Sequence, residues 1–271
     1  MKHMKHLFLV ALAAIFGTQS LQAQGQDVEY GLFNHLSAGV SVGTDGIGLE
    51  VASPINNYLS VRLGYSFLSG KYTGDFDFDS SEAFLRKEDG SGYYDEVDVE
   101  AKLNIGDLKL LFDVYPFKKS TFRFTAGAYL GKSKFLTAKS TNHFINKAYW
   151  GNSGPELGNG SNTYTVVSDE KGAINADLKT NSFKPYLGIG FGRAVPKSRV
   201  SVSFDLGVQF WGKPGLWTQI DDNEGTKYRK VEKDRILSKQ EWCDDFKDGL
   251  DIMEKVCVYP VLSLRLNGRI F

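Results

Sequence analysis

The chain has 271 residues with 32 basic and 32 acidic side chains, so its formal net charge is zero and no bulk field draws it toward nucleic acid. Mean hydropathy is −0.26, and beyond residue 23 no apolar run approaches the roughly 20 residues that a membrane-crossing helix needs, which excludes a helical membrane protein. With 19 Phe, 13 Tyr and 29 Gly the composition suits strands and tight turns, and a strand-built membrane protein stays open because only half of each spanning strand must be apolar.

In chain order, Met1-Lys-His-Met-Lys-His6 is basic, Leu7 to Phe16 is apolar, and small polar residues lead to Leu21-Gln-Ala23. This is the layout of a secretory signal peptide over 1–23, leaving 24–271 as a single exported domain. The apolar run is too short to span a bilayer, and no cysteine near the cleavage point suggests a lipid anchor.

Eight strands follow from the period-2 pattern, in which alternate residues share a face. The first, Leu36 to Gly43, puts Leu36, Ala38, Val40 and Val42 opposite Ser37, Gly39, Ser41 and Gly43. Thr44-Asp-Gly46 is a turn; Ile47, Leu49 and Val51 then share a face with Glu50 on the other. After Pro54-Ile-Asn-Asn57, the third strand sets Leu59, Val61, Leu63, Tyr65 and Phe67 against Ser60, Arg62, Gly64 and Ser66. Residues 69–95 read as a polar loop. The fourth strand, Val97 to Phe117, alternates in two registers, Val97 to Ile105 on one parity and Leu108 to Val114 on the other, which predicts a bulge near Gly106-Asp107.

A short Lys118-Lys-Ser120 connection leads to Phe122, Phe124, Ala126, Ala128 and Leu130 on one face, with Arg123, Thr125 and Tyr129 on the other. Residues 137–182 read as a loop. The sixth strand sets Phe183, Leu187, Ile189 and Phe191 against Lys184, Tyr186 and glycines; after Pro196-Lys-Ser198 the seventh sets Val200 to Phe210 against Ser201, Ser203, Asp205 and Gln209. Residues 212–257 form a third long loop. The eighth strand sets Val258, Pro260, Leu262, Leu264 and Leu266 against Ser263, Arg265, Asn267 and Arg269.

Glu50, Arg62, Lys109, Asp113, Arg123, Asp205 and Arg265 all lie on the non-greasy parity. A soluble barrel of the lipocalin kind would place apolar residues on its lumen side, so this pattern instead requires lipid outside. Short and long connections alternate from the second onward, as expected of short periplasmic turns and longer outer loops. The expectation is an all-β, eight-stranded antiparallel transmembrane barrel in the outer membrane. Its lumen is just wide enough for side chains to fill. The seven charges should therefore pair, because an isolated buried ion is very costly.

Phe112-Asp-Val-Tyr-Pro-Phe117, Phe122-Arg-Phe-Thr-Ala-Gly127, Tyr186-Leu-Gly-Ile-Gly-Phe-Gly192 and Tyr259-Pro-Val-Leu-Ser-Leu264 resemble the small outer-membrane β-barrel proteins of Gram-negative bacteria, OmpA- or OmpW-like. The resemblance covers roughly 30–135 and 183–271. It implies outer-membrane lipid and lipopolysaccharide as surroundings, and recognition of the C-terminal strand by the barrel-assembly machinery. Phe271 departs from the family in lying on the lumen parity; either a kink near Gly268 restores the register or Ile270 takes its place.

No residue set calls for catalysis, a cofactor or a metal. Gly188-Ile-Gly-Phe-Gly192 is not followed by a helix pattern and reads as lumen glycines that make room for larger side chains, and Gly127-Ala-Tyr-Leu-Gly-Lys-Ser133 lies in a strand. His35 and His143 have no metal-ligand partners nearby in sequence; a lipid-modifying enzyme built on His143 and a loop serine is the weakest alternative. The expected role is non-enzymatic, structural or surface-contacting through the outer loops, with a narrow pore or carrier for small or hydrophobic solutes as the alternative. Residues 71–100 hold ten acids and three bases, a solvated face or a divalent-cation bridge to lipopolysaccharide, and Tyr149 and Trp150 are candidates for contact with a glycan or a partner.

Cys243 and Cys257 are the only cysteines. Export favours a disulfide, but Trp242, Phe246, Leu250, Met253 and Val256 make a helical stripe. Fourteen helical steps separate the two Cα atoms by about 21 Å, and a bridge tolerates about 7 Å, so a short amphipathic helix with free thiols is favoured.

Overall fold

The computed structural model describes residues 28–77, 81–151, 154, 156–157, 164–222, 225–232 and 241–271; the signal-peptide reading of 1–23 falls outside them. Fourteen strands and one α-helix occur among the described residues. The strands are β1 (Ser37–Gly43), β2 (Gly46–Asn56), β3 (Leu59–Asp77), β4 (Glu96–Val114), β5 (Phe122–Gly131), β6 (Lys134–Ser140) and β7 (Glu156–Leu157). They continue as β8 (Tyr164–Val166), β9 (Asn175–Lys179), β10 (Phe183–Phe191), β11 (Val200–Phe210), β12 (Gly215–Asp222), β13 (Gly225–Lys230) and β14 (Val258–Arg269). The helix, α1, is Glu241–Lys255.

Every pairing is antiparallel. Neighbours run from β1 through β2, β3, β4, β5, β10, β11 and β14, and β14 pairs again with β1, so this path returns to its start. The register puts like with like: Val40 lies between Leu49 and Leu266, and Leu187 between Val208 and Ala126, while Ser41 lies between Gly48 and Arg265. One face of the circuit is thus a row of exposed apolar side chains, among them Val40, Leu49, Leu63, Leu110, Leu187, Leu206 and Leu266. The other face is buried and charged. Both follow from the period of 2 along each strand.

The predicted bulge is absent. β3 and β4 keep one register from Leu59 opposite Val114 to Asp77 opposite Glu96. Val97 through Ile105 share the inward parity with Asp107, Lys109 and Asp113, so the strand is regular and its surroundings change. Low on β4 the inward side chains meet buried ion partners; higher up, Val97 packs against a cluster of Leu85, Phe144 and Ile145.

The three long connections, read as loops from the sequence, each contain strands. β3 and β4 extend past the circuit, and β6, β9, β12 and β13 continue the sheet from β4. A leucine ladder joins these extensions, Leu103 to Leu136 to Leu178 to Leu216, and beside it runs Ala101 to Ala138 to Ala176. The opposite face pairs Glu100 with Lys139 and sets Thr137 beside Asp177 and Asp177 beside Trp217. α1 runs through Gly249 without a break and packs Leu250 and Met253 on Val166, Ile220, Val231 and Leu216. Cys257 lies just beyond the helix, exposed and free; the side chain of Cys243 falls outside the described residues.

Candidate functional site

The circuit brings all seven lumen residues expected from parity into one ion-paired cluster. Arg62 is its hub, 2% exposed. Its Nε and Nη2 reach the two oxygens of Asp113 at 2.8 and 2.9 Å, and its Nη1 and Nη2 donate to Asp205 at 3.2 and 3.1 Å. Nη1 also lies 3.3 Å from Glu50. Such two-point contacts suit the planar guanidinium fork, which lysine lacks.

Arg123 bonds Asp205 at 2.6 Å and lies 3.3 Å from Asp113, which also accepts from the Thr125 hydroxyl at 2.7 Å. Arg265 bonds Glu50 at 2.5 Å and Ser203 at 3.1 Å. Lys109 joins Glu50 at 2.9 Å to Asp45 at 3.0 Å. Gly190 makes this crowding possible: a Cβ there would sit 2.8 Å from the Arg123 guanidinium carbon.

Two acids escape the sequence pattern. Asp45 falls in a turn and Asp107 at the expected bulge, yet both are buried, Asp107 receiving Lys184 at 2.8 and 3.1 Å. Unbroken parity from Lys109 would have revealed Asp107. With them, five buried acids (Asp45, Glu50, Asp107, Asp113, Asp205) pair with five buried bases (Arg62, Lys109, Arg123, Lys184, Arg265), and a sixth buried base, Arg193, meets backbone carbonyls instead. That balance matters because an unpaired charge in a confined interior costs several kcal/mol or changes protonation. Arg269, on the same parity, is half-buried at the end of β14.

Layers of larger side chains bracket the cluster. On one side Leu111, Tyr129, Tyr186 and Val261 pack together, the two tyrosine rings 5.4 Å apart. Beyond them Trp211 stacks on Tyr259 at 4.5 Å, Gln209 accepts from the Trp211 indole at 2.7 Å, and the Lys184 ammonium lies 5.1 Å from the same ring. At the opposite end Tyr30, Ala52, Ala194 and Val195 cluster. There Arg193 lies over Tyr115 and Tyr30 at 4.0 and 4.7 Å, and donates to the carbonyls of Asn57, Lys118 and Ser120. Sequence reading misses this closure, because its residues lie in turns without periodicity.

His143 stacks on Trp150, whose indole donates to the Ile145 carbonyl at 2.8 Å within an apolar cluster, so Trp150 is held by its own fold. Among the described residues no His, Cys, Asp and Glu are grouped to hold a metal, including within 71–100. Ile270 and Phe271 are both exposed past β14, with their backbones bonded to Leu36.

Fold and site define an antiparallel β-protein in which a closed path of strands buries a network of paired charges on one face and exposes a row of apolar side chains on the other. No protein-family profile matches the chain, and no curated protein matches it in sequence. Among solved structures it is similar to CarO of Acinetobacter baumannii, with 18% identity and a TM-score of 0.45 over 86% of this chain and 96% of that one. It is similar to CarO2 of that organism (18%, 0.43, over 90% and 100%) and to a major outer membrane protein from Thermus thermophilus (16%, 0.38, over 87% and 98%). At these scores the likenesses lend no residue role to this chain.

Proposed function

We propose that the chain is an integral outer-membrane protein whose β1–β5, β10, β11 and β14 form an eight-stranded transmembrane barrel, non-enzymatic, serving envelope structure or surface contact. The observation that carries this reading is the inversion of polarity: an exposed apolar exterior around a buried, ion-paired interior. In water such an exterior is a liability; in lipid it is the required solvent contact. Strand lengths agree, since β10 has 9 residues and β11 has 11, against about 9–11 for a tilted spanning strand. Exposed Tyr58, Phe117, Phe124 and Phe191 near one end, and Tyr65, Phe67 and Phe183 near the other, suit the two aromatic belts of such barrels. The termini and short turns then face the periplasm, and the β6–β9–β12–β13 sheet with α1 faces outward. An interior filled by ion pairs supports an envelope or contact role over a pore. Planar-bilayer recording on the purified protein tests it: the expected result is no unit conductance, and steady unit currents would overturn the filled-lumen reading. Recovery as a soluble periplasmic protein would overturn the membrane assignment.

A further inference from the structure

β2 begins at Gly46, with Ile47 opposite Phe67, so β3 loses its partner on that side while continuing to Asp77 beside β4. Among the described residues no backbone hydrogen bond joins Ser69–Asp77 to anything but β4. Nine residues, about 30 Å at the usual rise, therefore present an open sheet edge. Natural sheets blunt such edges with bulges, prolines, very short strands or charged side chains. Here the edge is long, regular in register and free of proline, and its charges are Lys71, Asp75 and Asp77, which select a partner of complementary charge.

Its two faces differ. On the inward parity, Tyr72 is 70% and Phe76 57% exposed, with Gly74 between them and Gly70 before Tyr72. Nothing closer than 4.0 Å would meet a Cβ on Gly70, so room lies beside Tyr72 there, whereas the Tyr72 ring itself lies over Gly74, 3.0 Å from where a Cβ would sit. On the outward parity Asp75 lies directly opposite Asp98, and Asp77 opposite Glu96. Like charges at opposed positions destabilise a strand pair. Partial desolvation, then the charges of Asp98, Asp77, Asp75 and Asp95, hold the Glu96 carboxyl above its ordinary value. Lower on the same row, Lys71 is already neutralised by Glu100.

We propose that the Ser69–Asp77 edge of β3 is a docking site for an extended polypeptide from another protein, added antiparallel in the place β2 vacates. Main-chain bonds along the edge supply affinity, and alternate side chains supply specificity. The incoming strand carries basic residues opposite Asp77 and Asp75, hence near its own N-terminal end, an apolar residue opposite Gly74 to lie against the exposed Tyr72 ring, and a bulky apolar residue in the room opposite Gly70. A second copy of this chain fits less well. Antiparallel neighbours in a sheet are related by a two-fold axis normal to it, which would invert one copy relative to the other. The inference goes beyond the envelope role; the sheet edge carries it, and only the rejection of a second copy rests on the proposed membrane orientation.

The test is fluorescence anisotropy of a labelled peptide, Lys-Val-Lys-Phe-Thr-Val-Glu-Phe, titrated with the whole protein in detergent micelles. The same composition in reversed order, and a version N-methylated at alternate backbone positions in each of the two phases, serve as controls. The designed peptide is expected to bind at least tenfold more tightly than the reversed one, and N-methylation in one phase only is expected to abolish binding. Asp75→Lys with Asp77→Lys, both exposed, is expected to weaken binding tenfold or more. Equal binding of designed and reversed peptides, indifference to N-methylation in both phases, or an unchanged double variant would each overturn the proposal. So would a concentration-dependent dimer of the protein alone that excludes the peptide.

Discussion

Replacing Arg62 by Met tests the buried ion cluster at its hub. The substitution keeps the apolar stem and removes the guanidinium, which contacts Asp113, Asp205 and Glu50. Each acid keeps another cation: Arg123 for Asp113 and Asp205, and Arg265 with Lys109 for Glu50. The loss is therefore one charge in a previously balanced set of five acids and five bases, not three orphaned carboxylates. Breaking a buried pair by removing one partner costs about 3–5 kcal/mol, and the remaining cations place Arg62→Met near the lower end of that range. Adding Asp113→Asn restores the balance while keeping Thr125 a partner, and is expected to recover part of the loss. Urea midpoints read from the heat-modifiable folded band in lipid vesicles measure both. The Lys87 ammonium lies 5.9 Å from the half-buried Tyr94 ring, and Lys87→Ala, which keeps the backbone bonds, is expected to stay within about 0.5 kcal/mol of the parent. An Arg62→Met variant as stable as Lys87→Ala would refute the reasoning, and so would a double variant less stable than the single one.

Leu187, exposed between Val208 and Ala126, should tolerate Met but lose about 2–4 kcal/mol as Arg if it faces the lipid midplane; equal vesicle-folding midpoints for the Met and Arg variants would place it in water. Gly190→Val forces side-chain atoms onto the Arg123 guanidinium and is expected to cost about 1–3 kcal/mol by the same assay, with no loss contradicting the close packing. Thiol counting on denatured, unreduced protein should find two free thiols, and Cys257 should react with a membrane-impermeant maleimide on intact cells; no free thiol would require a broken α1. Burial raises the Asp177 carboxyl, but hydrogen bonds from Tyr228 at 2.5 Å and Thr137 at 2.7 Å, with the charge of Lys134, outweigh it and hold the group low. A carboxylate held low stabilises the fold above its unfolded pKa of about 3.9, and the contribution disappears as pH falls through the lower folded value. Protease protection of β9 and β13 should accordingly fall below about pH 4, less steeply in Asp177→Asn; identical profiles would remove Asp177 from that role.

The eight strands of the circuit are legible because each carries enough alternating positions, with charges such as Arg62 and Asp205 on the minority face, to leave one pairing parity. The outer sheet is not. Lys134-Phe-Leu-Thr-Ala-Lys-Ser140 alternates weakly, and its partner Asn175–Lys179 is shorter still, so the leucine ladder emerges only when three short strands align beside β4. β4 misleads for a related reason. Its inward face passes from ion partners to an apolar cluster, and periodicity reports polarity, not direction. Within the site, Asp45 is hidden by its turn. Arg193 gathers the carbonyls of Asn57, Lys118 and Ser120 from 136, 75 and 73 residues away, a closure that no local pattern encodes.

The join between β1 and β14 also sets a timetable. Ser41 meets Arg265 there, and Glu50 reaches Arg265 across 215 residues of chain. The first strand must wait for the last, so the circuit cannot close until the entire chain is present, and such long-range pairing is slow. Until then the future interior remains an open sheet face, with its arginines and carboxylates still hydrated. Water leaves as the final strand arrives, when each charge already has its counter-ion within reach. The dehydration that would oppose burying the ions one at a time is thereby confined to a single late event.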